Sequence, residues 1–169
     1  MDASPALTRS TRLVLAAATL GALLWTGGTV LAPWLAARDS FLAPWLRLLY
    51  RPGCHQIADR CLDLGFGPTA VCARCLGLYV GGTLGLLWTT LRNRSTRPRP
   101  RWLAIVAAPT VLDFVAGQLG LPSLGNEARL MLAVPLGLVA ALFLGDALIS
   151  IAAANSGDGP STSSEDPLH

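Results

Sequence analysis

Lysine is absent from the 169 residues, and charge of either sign is scarce: charged residues make up 14% of the chain. A soluble domain normally carries roughly a quarter charged residues, so the composition excludes an ordinary water-exposed globule. Hydrophobic residues reach 52%, and mean hydropathy is +0.50. The missing lysine goes with abundant Ala, Gly, Leu and Pro. Together they read as a high-GC bacterial coding bias rather than as chemistry. The net charge of +3 is small, and the clustered arginines sit in one short loop, which argues against a nucleic-acid partner. Catalytic signatures are missing as well. There is no glycine-rich phosphate loop, no G-x-S-x-G elbow and no H-E-x-x-H pair. Leu76 follows Cys75, so the C-x-x-C-H haem attachment pattern is excluded too.

What is present is a set of apolar runs long enough to cross a bilayer, which takes roughly 20 residues each. The first covers residues 13–36. It follows a polar start with Arg9 and Arg12, the outline of a signal peptide. Its length and the lack of a small-x-small cleavage site favour a retained helix. Residues 41–50 are too short to span and are interrupted by Arg47, so they read as an interfacial or re-entrant helix. Arg51-Pro52-Gly53 breaks it, and a polar segment, 54–70, follows. A second span is expected over 71–91. Gly77, Gly81 and Gly85 recur there every fourth residue, a small-residue stripe that lets another helix approach. A third span is expected over 102–121 and contains Asp113 and Gln118. A fourth is expected over 128–154, with Pro135 and Asp146 inside. The fold class is therefore all-α: an integral membrane protein with about four transmembrane helices. Residues 1–154 form a single helical domain, and residues 155–169 form a disordered tail.

Orientation follows from the arginines. The loop 92–101 holds Arg92, Arg94, Arg97, Arg99 and Arg101, and the positive-inside rule makes it cytoplasmic. Both termini are then cytoplasmic, in a bacterial inner membrane, with the bilayer as the first partner. Arg38, Arg47, Arg51 and Arg60 fall outside and run against this bias. In this topology the C-x-x-C pair Cys72 and Cys75 lies at the outer mouth of span two, and Arg129 opens span four on the same side. Asp113 lies roughly 12 Å in from the outer end of span three at 1.5 Å per residue. Polar residues of separate segments converge on the outer half of the membrane.

Cys54, His55, Cys72 and Cys75 are the candidate metal ligands. Two sulfurs of a C-x-x-C pair can bind one soft metal, Zn²⁺ or another transition metal, with further ligands from elsewhere. Only one of the neighbours Cys54 and His55 needs to bind, because adjacent side chains often point apart. The same pair at a helix start, beside Arg74, also suits redox chemistry. In an oxidising compartment four cysteines, Cys61 included, can form plain disulfides. Asp113 in a span is costly unless paired or placed in a cavity; it reads as a proton carrier, a metal ligand, or a partner of Arg74 or Arg129.

The segments CHQ at Cys54–Gln56, Arg60, and CARCLGLYVG at 72–81 resemble a prokaryotic family of small membrane proteins, domain of unknown function family two thousand and eighty-five. The resemblance covers residues 50–129. It implies that Gln56, Arg60, Arg74, Asp113, Asn126 and Arg129 support the site. Three positions depart from the family pattern: Cys61 stands where serine is usual, Phe114 follows Asp113 in place of glycine, and Gln118 is one residue out of step. With Cys61 set aside, the shared thiols number three. That suits a metal site, or one disulfide plus a reactive thiol. The family's name supplies no activity. The expectation is thus a Cys/His site at the outer face, metal-binding and open to an enzymatic role. The alternatives are a thiol–disulfide redox protein, or a small transporter or accessory subunit that uses Asp113 within a homo-oligomer or beside a membrane partner.

Overall fold

A computed structural model describes residues 8–94, 96–120 and 124–155. The tail from residue 156 onward and positions 121–123 of the turn expected before the last helix lie outside the described residues. The chain is mostly helical: α1 (Arg9–Ala36), α2 (Leu42–Tyr50), α3 (Ala73–Arg92), α4 (Pro100–Gln118) and α5 (Asn126–Asn155). Two of these, α1 and α5, are long and apolar enough to cross a membrane.

The expectation of an all-helical chain needs one correction. Between α2 and α3, a 3₁₀ turn at Ala58–Arg60 leads into an antiparallel hairpin, β1 (Cys61–Asp63) and β2 (Pro68–Cys72). The local chemistry explains it. Asp63 Oδ1 accepts the Gly65 N–H at 2.8 Å, an Asx-type turn. Gly65 and Gly67 take φ of +84° and +122°, which glycine alone adopts freely. Short β-compatible runs on either side then pair. Strand β2 passes directly into α3, with Cys72 as the last strand residue and the helix N-cap.

Each helix end has a local cause. Thr8 caps α1, its hydroxyl accepting the Thr11 N–H. Pro100 opens α4, where its missing N–H costs nothing. Asn93 ends α3 with φ +52°, a left-handed cap that asparagine tolerates.

Helices α3 and α5 pack closest. The Gly77/Gly81/Gly85 stripe faces α5, as its spacing predicts. A Cβ at Gly81 would overlap the Val134 carbonyl and sit 2.8 Å from the Leu138 nitrogen, and one at Gly137 would overlap the Leu78 carbonyl. These obstacles are backbone and cannot step aside. Gly81→Ala is expected to destabilise the fold by about 1–3 kcal/mol through overpacking, read as a lower unfolding temperature in detergent. The neighbouring Gly82 has nothing within 4 Å of an added Cβ, so Gly82→Ala should leave that temperature unchanged or raise it. Equal behaviour of the two variants would contradict the packing.

Helix α1 joins α3 through hydroxyl pairs, Thr19–Thr90 and Thr26–Thr83, each at 2.8 Å. Such interhelical hydrogen bonds tie the two helices together. Tyr50 of α2 is buried, and its hydroxyl donates to the Trp25 carbonyl at 2.6 Å. Gly28 leaves the space that this hydroxyl fills. Ala32, Tyr50, Cys54, Ala70, Val71 and Leu76 form one buried cluster. The first cysteine is thereby anchored in the core, at the end of the molecule where the hairpin sits.

Candidate functional site

Cys54, Cys72 and Cys75 converge. Their sulfurs all lie within 4.8 Å of one another. The Cys72 and Cys75 sulfurs are 3.4 Å apart, and Cys54 Sγ accepts the Cys72 backbone N–H at 3.2 Å. The sequence separates Cys54 from the C-x-x-C pair by 18 residues, and the hairpin closes that gap. Gln56 fixes the return of the chain. Its backbone is left-handed at φ +54°, and its Nε2 donates to the Arg47 carbonyl at 2.6 Å and the Ala70 carbonyl at 2.8 Å. A non-glycine residue held there by two hydrogen bonds marks a segment whose geometry is over-determined by its surroundings. Arg47 adds a second tie, donating from Nη2 to the Pro68 carbonyl at 3.0 Å.

The environment separates the thiols. The hydrogen bond from Cys75 pulls Cys72 down to about 5. Burial opposes this, and the backbone N–H groups of Cys75 and Arg74 at the start of α3 and the Cys54 thiol reinforce it. Thiolates are favoured at such helix starts. Cys61 behaves oppositely: burial, with the nearby Cys54 and Cys72 sulfurs, pushes it up to about 11. It donates to the Ile57 carbonyl at 3.2 Å and stands outside the converging group, although its Cα faces that of Cys72 across the hairpin. All four cysteines are free thiols.

His55, expected beside Cys54 as a ligand, is not among the atoms that converge. Cys54 turns inward and is 5% exposed, whereas His55 is exposed. It lines instead a cavity of about 450 Å³ that opens on the three sulfurs. Arg60, Arg74, Gln118 and Arg129 line the same cavity, and Phe114 forms part of its wall.

Asp113 is the sole fully buried residue of α4. It pairs with Arg74 of α3 through a short contact to Oδ2, and Arg129 Nε lies 3.4 Å from the same oxygen. Oδ1 accepts the Leu124 N–H at 3.0 Å. Both oxygens are thus occupied, and Asp113 joins α3, α4 and α5 rather than reaching the sulfurs. Asn126 donates to the Asp59 and Cys61 carbonyls at 2.9 and 3.1 Å and accepts from Arg129 Nη1 at 3.3 Å, tying the start of α5 to the hairpin. Asp146 pairs with exposed Arg97 at 3.7 Å, far from the site.

Sequence reasoning missed Arg47, Asp59, Phe114 and the Leu124 amide. Arg47 and the amide act through backbone contacts, which carry no residue-type signal. Phe114 is signalled only by its place beside Asp113.

The fold and site define a mostly helical protein with two apolar helices of membrane-spanning length and a three-thiol cluster at one end. The chain belongs to the DUF2085 family, described as predicted membrane protein, whose profile matches residues 54–143. The match starts at Cys54 and takes in Cys72, Cys75, Asp113 and Arg129. An uncharacterized protein of Methanocaldococcus jannaschii is 30% identical over 92 residues, which are 53% of this chain and 59% of that relative. The chain thus spans less than two thirds of the relative's length. No solved structure matches the chain.

Proposed function

We propose that this protein holds a soft metal ion on the thiolates of Cys54, Cys72 and Cys75, with the fourth coordination position facing the cavity. The sulfur triangle carries this reading. Zinc–sulfur bonds of about 2.3 Å place tetrahedral sulfurs about 3.7 Å apart. The observed spacing, from 3.4 Å to at most 4.8 Å, brackets that value. A thiolate at Cys72 and a backbone N–H on Cys54 Sγ are what such a site needs around its ligands. Three protein ligands and an open fourth position suit a reactive centre, whereas purely structural zinc sites are closed by four. His55 and Gln118, on the cavity wall, are placed to act on whatever occupies the opening. Elemental analysis of protein purified under reducing conditions should find one transition-metal ion per chain. A metal-free protein with intact fold would sink the reading.

The same reading puts the chain in the inner membrane with four spans, α1, α3, α4 and α5, and the sulfurs at the outer face. Twenty residues in α3 and 19 in α4 give roughly 28–30 Å of helix, the thickness of the hydrocarbon core. Helix α4 supports this further, since Trp102, Ile105, Val111, Leu112, Phe114 and Val115 are all exposed, an apolar surface that lipid would cover. Three of the four arginines on the outer side have local uses. Arg38 stacks on Trp34 at 3.7 Å, Arg47 holds the hairpin, and Arg60 lines the cavity.

A second reading, thiol–disulfide exchange, draws on the low Cys72 pKa and the 3.4 Å gap to Cys75. It requires reversible labelling of Cys72 by a membrane-impermeant thiol reagent in protein shown to be metal-free. Unreactive thiols both before and after reduction exclude it.

A further inference from the structure

The cavity beside the sulfurs continues into a polar one of about 330 Å³, and Arg60, Arg74 and Arg129 line both. They come from three separate elements: the 3₁₀ turn, α3 and α5. In the polar cavity, which no cysteine lines, their charges are not balanced: among the described residues Asp113 is the one carboxylate paired with them, and Asp59 is the one other acid on its walls.

The hydrogen bonding is unbalanced in the same sense. Both oxygens of Asp113 are already engaged. The Nε atoms of Arg74 and Arg129 are buried and make no hydrogen bond, that of Arg129 having only its 3.4 Å ion pair with Asp113. The Arg129 side chain is only 10% exposed. Arg60 has no hydrogen bond or ion pair from its guanidinium among the described residues. Arg74 and Arg129 thus share one carboxylate at a depth where unmet donors and charge are costly, and Arg60 adds an exposed third guanidinium. A ligand that answers both deficits is rich in acceptors and negatively charged. Guanidinium forks match the oxygens of such a group in geometry as well as charge.

We propose that this cavity binds a phosphate group, held by Arg60, Arg74 and Arg129 next to the sulfur triangle. The site rests on the arginines and not on the cysteines, so it goes beyond the metal reading and stands or falls separately. The phosphate can come from solution or from a lipid headgroup that enters from the outer leaflet.

The test uses the full chain in an uncharged maltoside detergent. One arm titrates inorganic phosphate by calorimetry. The other measures phosphatidylglycerol retained through delipidation, by mass spectrometry. Binding in the first arm identifies free phosphate, and binding confined to the second identifies a headgroup; either supports the site. Arg60→Gln and Arg129→Gln should each weaken the observed binding at least about tenfold, as loss of a charge-assisted contact does, with the metal content per chain unchanged. Arg60 is exposed, so its variant tests the site even if Arg129→Gln fails to fold. No binding in either arm, or wild-type affinity in Arg60→Gln, overturns the proposal.

Discussion

Serine in place of Cys54, Cys72 or Cys75 is expected to abolish stoichiometric metal binding, with affinity falling more than about 100-fold in each variant. The magnitude follows from the geometry. Losses of tenfold to 100-fold accompany changes to groups that merely orient a ligand, and here a ligand itself is removed from a set of three. Each sulfur also arrives by a different route: Cys54 from the core cluster, Cys72 from the strand end and Cys75 from the first turn of α3. No neighbouring thiol is placed to substitute. Cys61 is the nearest candidate, but it is held by the Ile57 carbonyl and pushed up to about 11. Cys61→Ser should therefore retain full metal content. Competition titration against a chelator of known affinity checks all four variants. A Cys61→Ser protein that loses its metal would show that the triangle is drawn on the wrong sulfurs.

Asp113→Asn should be the most destabilising single change in the helical body, by about 3–5 kcal/mol. Asparagine keeps the shape and can still accept the Leu124 N–H. It removes the one negative charge between two arginines whose side chains are 18% and 10% exposed. Breaking a buried ion pair by deleting one partner costs far more than the pair contributes, because the remaining charge is left buried without compensation. Two guanidinium groups would then face each other. Asp146→Asn supplies the contrast. Asp146 is 20% exposed, but its partner Arg97 is 79% exposed at 3.7 Å and stays solvated when the carboxylate is lost, and pairs with a solvated partner are worth about 0–1 kcal/mol. Thermal unfolding in detergent should separate the two variants widely. If Asp113→Asn unfolds with Asp146→Asn, the ion triad does not hold α3, α4 and α5 together.

The two predictions concern different layers of the site, and the sequence revealed those layers unequally. The glycine stripe was legible because a four-residue spacing has one meaning on a helix, and the partner helix could be left unspecified. Asp113 was legible as a charge that needs a partner or a cavity, because an unpaired one is too costly in a span, with pairing to Arg74 or Arg129 one of three readings; that both arginines reach it depends on how three helices pack. The gathering of Cys54 with Cys72 and Cys75 was legible as chemistry but not as geometry. In the sequence the hairpin that joins them shows only as a polar segment, since three- and five-residue strands give too little alternation to register. The same gap hid the split between Cys54 and His55. Adjacent side chains often point apart, and the backbone around Gln56 decides which turns inward. The Gln56 hydrogen bonds to two carbonyls leave no trace in residue types at the accepting end.

The central claim is that three sulfurs from two segments share one ion. X-ray absorption at the edge of the bound metal tests it most directly. For a zinc-class ion the account predicts three sulfur neighbours at about 2.3 Å and one lighter nitrogen or oxygen neighbour, unchanged in Cys61→Ser. A first shell without sulfur, or one with four sulfurs, would contradict it.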